Sequence, residues 1–364
     1  MTELQAEVER LLRPEVRALS AYHVPDSRGF IKLDAMENPY RWPAETVDLW
    51  LERLRSAEPN RYPDPACHGL KSALKQANGV PSQSEVLLGN GSDEIIQILL
   101  MALNPGAPVM APEPTFVMYR QISQSLGLRF IGVPLNADDF SLNIEAFLSA
   151  IKTHQPDIIF LAYPNNPTGN LFEKDDIDRI LAVSRGLVVV DEAYAPYAEA
   201  SFMSELERHD NLLVMRTLSK LGLAGLRLGF LSGHPRWIGE FDKLRLPYNI
   251  NVLTQMSAEF ALEQHAVFER QISLILQQRN LLRAALDAMA DIQTYPTNAN
   301  FILIRLLRHD ANVVFSSLKR SGVLVKNLHP SGGLLSQCLR ITVGTPDENQ
   351  RFIATFSQAL EVSV

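Results

Sequence analysis

Short apolar segments alternate with amphipathic segments of helical length through the first two thirds of the chain. The amphipathic segments predict helices after Ser92, through 118–126, near 143–153 and after Glu173. The apolar segments are rich in β-branched residues and predict strands near 86–89, 108–111, 129–135, 157–163, 187–194, 212–217 and 226–231. Continuously apolar strands separated by helices are typical of a largely parallel sheet that is covered on both faces. The pattern therefore predicts a doubly wound α/β domain.

The pattern changes near Asn251. Long helices follow, and after them come apolar segments that predict strands at 301–306, 324–326 and 339–344, with a final helix after Pro346. This order is typical of a smaller α+β domain that begins near residue 255. The first 40 residues look helical and then irregular, which favours an arm that joins the small domain or a partner subunit. The predicted division is an N-terminal arm over 1–40, a large domain over 41–254 and a small domain over 255–364.

Composition narrows the class of function. The 364 residues include 34 Lys plus Arg and 41 Asp plus Glu, for a net charge of −7, without a basic stripe. Nucleic acid and anionic membrane surfaces are therefore not expected partners, and small-molecule chemistry is the default. Cys67 and Cys338 are the 2 cysteines, too few for a disulfide framework. No apolar run approaches the length of a membrane span, and the first residues lack a signal-peptide pattern, so we expect a cytoplasmic protein.

The first candidate for chemistry is Lys220, in the segment RTLSKLGLAGLRLGF. A lysine in a loop is usually a solvated charge. Here it lies among two glycines, Thr217 and Ser219, and Arg227 follows seven positions later. Hydroxyls, backbone N–H groups and a guanidinium can together hold a phosphate dianion. A lysine beside a bound phosphate-bearing cofactor suggests a covalent link between its amine and that cofactor.

The second candidate is Asp191, which ends the apolar strand in LVVVDEAY and is followed three residues later by Tyr194. Ligands of open α/β sheets bind just outside the carboxyl ends of the strands. A carboxylate held there against a pyridine nitrogen would keep that nitrogen protonated, which is the condition for the ring to act as an electron sink. Capping of the following turn explains the aspartate equally well.

Two further polar turns follow apolar strands. YPNNPTGN, residues 163–170, would aim amide side chains such as that of Asn166 toward the same edge of the sheet, although it is also good turn chemistry in its own right. GNGSDE, residues 89–94, would open a helix near Ser92 and Asp93 whose free N–H groups can bind an anion. Helix capping alone explains this second composition about as well.

Together and in this order, the motifs are far more specific than any one of them. Over roughly residues 20–360 the sequence resembles the fold type I pyridoxal-phosphate aminotransferases, and it is most similar to the histidinol-phosphate aminotransferase family. The segments that carry this second resemblance are LDAMENPY, RYPDP, GNGSDE, EPTF, PYNIN and LRITVGTPDEN. The resemblance implies a large domain with a mostly parallel seven-stranded sheet, a smaller α+β C-terminal domain, and pyridoxal 5′-phosphate as the cofactor.

The resemblance also implies roles for individual residues. Lys220 would bind the cofactor covalently, Asp191 would pair with its pyridine nitrogen, and Phe116 would stack on its ring. Asn166 and Tyr194 would hydrogen-bond its phenolic oxygen. The cofactor phosphate would be held by backbone groups of Ser92 and Asp93, by Thr217, Ser219 and Arg227, and by Tyr62 of a neighbouring subunit, which implies a homodimer with shared sites.

The substrates implied are histidinol phosphate and imidazole-acetol phosphate, with 2-oxoglutarate and glutamate as the second pair. Arg340 would bind the anionic end of each substrate, and Tyr22 and Lys326 would assist with the substrate phosphate. Many relatives have an arginine where this chain has Lys326, and a lysine-to-arginine interval one residue longer than that from Lys220 to Arg227. An exposed charge on an edge strand is the alternative interpretation of Arg340.

Other functions stay open at this stage. Within the same fold, an aromatic or other aminotransferase or a phosphothreonine decarboxylase would share these motifs. A pyridoxal-phosphate-sensing regulator is disfavoured because the first 40 residues are too short and too acidic for a DNA-binding module. A nicotinamide dehydrogenase is disfavoured because no G-x-G-x-x-G follows an early strand. A metal at Cys67, His68 and Asp64 is disfavoured because neighbouring side chains on an extended chain point apart.

Overall fold

The computed structural model describes residues 3–21 and 26–362. Its helices are α1 (Glu3–Leu11), α2 (Pro14–Arg17), α3 (Ala44–Leu54), α4 (His68–Ala77), α5 (Ser92–Met101), α6 (Val117–Ser125), α7 (Ile144–His154), α8 (Lys174–Val183), α9 (Pro235–Asp242), α10 (Val252–Glu263), α11 (His265–Asp287), α12 (Ala311–Arg320) and α13 (Pro346–Val362). Its strands are β1 (Ile31–Leu33), β2 (Glu85–Gly89), β3 (Pro108–Glu113), β4 (Arg129–Pro134), β5 (Ile158–Ala162), β6 (Leu187–Asp191), β7 (Leu212–Thr217), β8 (Gly229–Gly233), β9 (Ile292–Thr294), β10 (Phe301–Leu306), β11 (Val323–Asn327) and β12 (Cys338–Thr342).

The larger sheet has seven strands in the order β2-β8-β7-β6-β5-β3-β4. β8 runs antiparallel to both of its neighbours, and the ladders from β7 across to β4 are parallel. Successive residues of β6 alternate between two apolar cores: Val188 and Val190 pack toward α7 and α8, whereas Leu187 and Val189 pack toward α5 and α6. Helices therefore cover both faces, and the predicted α/β fold is confirmed.

One strand of the larger sheet begins later in the chain than predicted. The strand predicted over 226–231 is β8, which begins only at Gly229. Residues 224–226 form a single 3-10 turn, and Arg227 adopts a left-handed conformation with φ of 50°. A left-handed residue without a glycine's freedom interrupts an extended segment. The apolar residues before Arg227 thus belong to the loop that carries Lys220.

The smaller sheet has the order β1-β11-β12-β10-β9. Its ladders are antiparallel except at β1, which pairs in parallel with β11 so that Ile31 lies opposite Val323. Leu339 and Ile341 of β12 point into an apolar core that is shared with α11 and α13. The alternate residue of β12, Arg340, therefore points toward the larger sheet, because successive side chains of a strand face opposite ways.

The N-terminal segment after residue 26 bridges the two sheets. β1 lies in the smaller sheet, and five residues beyond it the Asn38 amide donates to the Leu221 carbonyl at 3.0 Å and to Gln271 Oε1 at 2.8 Å. Sequence patterning did not predict β1, because three residues are too few to show a periodicity. The boundaries at residues 41 and 255 stay predictions. Within the described ranges, no helix is both long and apolar enough to cross a bilayer.

Candidate active site

One pocket lies at the carboxyl ends of β5, β6 and β7, and ten of the residues predicted from sequence line it. They are Ser92, Asp93, Phe116, Asn166, Asp191, Tyr194, Thr217, Ser219, Lys220 and Arg227. The carboxyl ends of parallel strands meet at one edge of a sheet, which is why polar residues far apart in sequence converge here. The start of α5 and the turn before α6 close the pocket on its other sides.

Lys220 enters this pocket as a partly buried amine. Its Nζ donates to the Ala35 carbonyl at 3.0 Å, and its own carbonyl accepts from the Tyr197 hydroxyl at 2.7 Å. Burial, and after it the positive charge of Arg340, lowers the pKa of Lys220 to about 8. The neutral amine, which is the nucleophilic and basic form, is therefore present at a much lower pH than in a solvated lysine.

Asp191 is only 3% exposed and accepts two hydrogen bonds. Its Oδ1 accepts from the backbone N–H of Ala193 at 3.1 Å, and its Oδ2 accepts from the Tyr119 hydroxyl at 2.6 Å. Burial raises the pKa of Asp191 to about 6, and the two hydrogen bonds oppose that rise. The turn-capping interpretation is thus correct for one oxygen, while the same carboxylate also lines the pocket.

Tyr119 was not predicted as a site residue from the sequence. It lies on the first turn of α6, three residues after Phe116, where an aromatic residue at helical spacing is expected to belong to the core. The ring is indeed fully buried, but its hydroxyl reaches a strand 72 residues further along the chain. The available signal was the polar end of the side chain, because a buried tyrosine hydroxyl usually has a hydrogen-bond partner.

The two asparagines of the PNNPTG turn have different places. The amide of Asn165 is fully buried, accepts from the Thr115 hydroxyl, and donates to the Pro114 carbonyl and the Thr168 hydroxyl. It braces the turn. Asn166 lines the pocket, and its Oδ1 accepts from Nη1 of Arg340. The turn interpretation therefore applies to the first asparagine, and the pocket interpretation to the second.

An open anion-binding corner lies where α5 begins. The residue that caps α5 is Gly91, which has no side chain, so no side-chain cap bond forms at this helix end within the part of the chain that the structure describes. A Cβ added at Gly91 would lie 2.6 Å from Nη2 of Arg227, so only glycine lets that guanidinium approach the free N–H groups of the helix. The corner is completed by the hydroxyls of Thr217 and Ser219, which lie 3.0 Å apart.

Two unusual backbone conformations bend the short loop between Lys220 and Arg227. Gly222 has φ of 128° and Arg227 has φ of 50°. Both lie in the region that favours glycine, and they turn the loop sharply enough for Lys220 and Arg227 to line the same pocket. The guanidinium also lies 3.5 Å from Oδ2 of Asp93.

Arg340 reaches this site from the smaller sheet. It is 7% exposed on β12, the central strand, so the interpretation as a surface charge on an edge strand is wrong. Its Nη2 donates to the Asp34 carbonyl at 2.9 Å. Lys326 is the register partner of Arg340 on β11 and therefore shares its face of the sheet. Burial lowers the pKa of Lys326, and the charge of Arg340 adds to that effect.

Three other predicted residues, Arg340, Lys326 and Tyr62, are not among those that line the pocket. Tyr62 is 79% exposed and stacks on the Tyr248 ring with 4.3 Å between centroids. It does not line the pocket of its own chain. Tyr22 lies outside the residues that the structure describes.

Known proteins share both the sequence pattern and the fold. The sequence pattern of the class I and II aminotransferases matches residues 28–356, and the chain belongs to this family. The chain is 55% identical over 347 residues to histidinol-phosphate aminotransferase 2 of Nitrosococcus oceani, covering 95% of this chain and 96% of that protein. It is 50% identical over 358 residues to histidinol-phosphate aminotransferase 1 of Ralstonia nicotianae, covering 97% and 95% of the two chains.

A solved structure of histidinol-phosphate aminotransferase from Sinorhizobium meliloti, in complex with pyridoxal-5′-phosphate, superposes with a TM-score of 0.85 at 23% identity. The match covers 97% of this chain and 98% of that one. Membership of the aminotransferase family and the fold type I architecture, both predicted from the motifs, are confirmed.

Proposed function

We propose that this protein is a pyridoxal-phosphate-dependent aminotransferase that exchanges the amino group between histidinol phosphate and 2-oxoglutarate. One observation carries the proposal: a partly buried lysine amine and a buried carboxylate share one pocket with an open anion-binding corner. Relatives at 46–55% identity over nearly the full chain are named histidinol-phosphate aminotransferases, which supports the choice of substrate.

The residues of the pocket fit the cofactor. The glycine cradle at Gly91, the two hydroxyls and Arg227 suit a phosphate dianion, because they combine N–H donors, O–H donors and a cationic fork. Asp191, which lines the same pocket, suits a cationic ring nitrogen. Phe116 would cover the ring, and Asn166 and Tyr194 would hold its phenolic oxygen. When bound, the cofactor supplies a protonated ring that accepts the electron pair released as a proton leaves the amine-bearing carbon.

The residues of the chain would supply the remaining chemistry. The Lys220 Nζ, when not bound to the cofactor, would accept that proton and return it to a neighbouring carbon, acting first as a general base and then as a general acid. Its lowered pKa of about 8 suits both roles near neutral pH. Asp191 keeps a negative charge at the ring nitrogen throughout, and Arg340 fixes the far end of the substrate so that the reacting carbon lies near Lys220.

The basic face of the smaller sheet supports a phosphorylated substrate. Arg340 and Lys326 lie side by side on adjacent strands, and both point toward the larger sheet. Histidinol phosphate has no carboxylate, so its phosphate is the group that Arg340 can bind in the first half-reaction. Glutamate must use the same guanidinium in the second half-reaction, because a planar fork suits carboxylate and phosphate alike.

This arrangement predicts different effects for the two basic residues. Arg340→Ala should weaken apparent binding in both half-reactions by roughly 1.5–3 kcal/mol, the value of a charge-assisted contact. Lys326→Ala and Tyr22→Phe should weaken mainly the phosphorylated substrate. Single-turnover absorbance with histidinol phosphate, histidinol and glutamate measures each effect separately. Equal losses for histidinol and histidinol phosphate in the Lys326 variant would show that the phosphate is not bound there.

The pKa of Lys220 predicts how the protein without cofactor captures pyridoxal phosphate. Only the neutral amine attacks, so the rate constant for capture should rise with pH, with a midpoint near 8, and then level off. Arg340→Ala removes a positive neighbour and should move the midpoint to higher pH. Stopped-flow absorbance gives the profile, and a rate that still rises above pH 10 would contradict the assignment of Lys220.

The overall function is tested by substrate profiling of the purified enzyme. We expect histidinol phosphate to be transaminated with 2-oxoglutarate at a much higher kcat/KM than phenylalanine, tyrosine or unphosphorylated histidinol. A preference for an aromatic amino acid would point to an aromatic aminotransferase instead. Release of carbon dioxide from phosphothreonine without formation of glutamate would point to a phosphothreonine decarboxylase.

We also propose a homodimer in the cytoplasm. Tyr62 is exposed and does not line the pocket of its own chain. It stacks on Tyr248, and two apolar side chains close to Tyr248 in sequence, Leu246 and Leu253, are also exposed. A partner subunit would cover them and receive Tyr62 at its cofactor phosphate. Tyr62→Phe should then weaken cofactor retention without changing the mass of the assembly, as measured by dialysis and light scattering.

A further inference from the structure

The Tyr119 hydroxyl is held on Asp191 by a rigid aromatic cluster. The Tyr119 ring stacks on Phe160 of β5, with 4.6 Å between centroids and 9° between planes. It also meets the ring of Phe116, a pocket residue, edge to face at 5.5 Å. Tyr119 and Phe160 are fully buried. A buried ring packed in this way has one accessible orientation, so its hydroxyl stays within hydrogen-bond distance of Asp191.

The surroundings of Asp191 otherwise disfavour its negative charge. Burial is the largest effect, and the carboxylates of Asp93 on α5 and Glu192 on the chain segment after β6 add repulsion. Two other titratable groups, the Tyr194 hydroxyl and the Lys220 amine, line the same pocket as Asp191. Against these, the carboxylate accepts from the Tyr119 hydroxyl at 2.6 Å and from the Ala193 N–H at 3.1 Å, and both bonds stabilise the charge. Burial and the neighbouring Asp191 hold the pKa of Tyr119 far above its usual value, so the tyrosine remains a donor.

We propose that Tyr119 is a positioning residue whose hydroxyl makes Asp191 a weaker base. The proton that Asp191 and the ring nitrogen of the cofactor would share is thereby kept on the nitrogen instead of on the carboxylate. The first half of this proposal, the effect of Tyr119 on the basicity of Asp191, concerns this chain alone. The second half, the location of the proton on the cofactor, rests on the proposed function. Without the hydroxyl, Asp191 binds a proton more tightly, the ring nitrogen loses its positive charge, and the electron sink weakens.

The first half is tested on the protein without cofactor, by urea unfolding of four variants at pH 5 and pH 8. These are the wild type, Tyr119→Phe, Asp191→Asn and the double variant. At pH 8 Asp191 is charged and needs the donor, whereas at pH 5 it is largely protonated. Tyr119→Phe should therefore lower the urea midpoint more at pH 8 than at pH 5, and this difference should vanish when residue 191 is asparagine.

A matched control separates this coupling from the loss of any buried hydroxyl. Tyr163 is 4% exposed and packs edge to face on Phe202. Its hydrogen bond to Asp191 runs from the backbone N–H of Tyr163 to the Asp191 carbonyl at 2.8 Å, so Tyr163→Phe leaves that bond in place. Tyr163→Phe should lower the urea midpoint equally at both pH values. Equal losses at pH 5 and pH 8 for Tyr119→Phe as well would overturn the proposal, because they would show that the tyrosine only fills space.

The second half is tested on the loaded enzyme. Tyr119→Phe should lower kcat roughly tenfold to a hundredfold, matching the loss of one hydrogen bond to a charged group, and leave the KM for the amine substrate within about twofold. It should also shift the pH dependence of the cofactor absorbance. An unchanged kcat and absorbance, together with pH-dependent coupling in the unloaded protein, would overturn the second half alone. An inactive wild type would contradict the proposed function but leave the Tyr119–Asp191 coupling intact.

Discussion

Lys220→Ala is expected to abolish transamination. Among the described residues that line the pocket, Lys220 is the one lysine, so no other amine there can bind the cofactor or carry the proton between the two carbons. The protein should still fold, since alanine removes a buried cation whose burial is unfavourable. Borohydride reduction of the loaded wild type, followed by peptide mapping, should place the cofactor label on Lys220.

Lys326→Ala is the matched control, because Lys326 is another partly buried lysine next to Arg340. It should keep both the cofactor label and transamination of glutamate. A label on any lysine other than Lys220, or activity that survives in Lys220→Ala, would contradict the assignment of the whole Ser219-Lys220 loop.

Asp191→Asn is expected to lower kcat by several orders of magnitude while the fold is retained. An amide is neutral, so it cannot stabilise a positive charge on the ring nitrogen, and the electron sink weakens. The one side-chain oxygen of asparagine can still accept from the Ala193 N–H, and its Nδ2 can donate to the oxygen of the Tyr119 hydroxyl, so folding should survive. Steady-state kinetics at saturating cofactor measures the loss, and near wild-type turnover would remove Asp191 from this role.

Glu192 provides the control for a neighbouring buried carboxylate. It is the next residue, but it points away from the pocket and bonds Arg216, with 2.7 Å between Oε2 and Nη2, beside a separate cavity of about 280 Å³. Glu192→Gln should lower the free energy of unfolding by about 1–3 kcal/mol, because it removes the charged partner of a guanidinium that is only partly buried. The folded fraction should keep its kcat, which separates loss of stability from loss of the charge at Asp191.

Much of the pocket could be predicted because the sequence places polar residues at the ends of largely apolar strands. Asp191 ends β6, Asn166 follows β5, and Lys220 follows β7. Parallel pairing alone brings these positions to one edge of the sheet. Family resemblance then supplied the cofactor and the role of each residue, which strand patterning does not contain.

The features that the sequence did not reveal depend on tertiary contacts or local backbone conformation. Tyr119 has the spacing of a core aromatic residue, and only the packing of α6 against the sheet shows that its hydroxyl reaches Asp191. The short loop before Arg227 depends on the conformation of Gly222, which residue spacing does not specify. β1 is a three-residue strand, too short for any pattern, and its formation depends wholly on β11.

The pairing of β1 with β11 also has a consequence for biosynthesis. The ribosome makes β1 early, yet its hydrogen-bonding partner is among the last elements to emerge. Closing so long a stretch of chain is slow, because its entropy is lost before any contact compensates for it. The larger sheet can therefore assemble during translation, whereas β1 cannot pair until β11 has been synthesised. Ala35, two residues beyond β1, is then expected to reach the Lys220 amine only near the end of synthesis, so the cofactor pocket matures last.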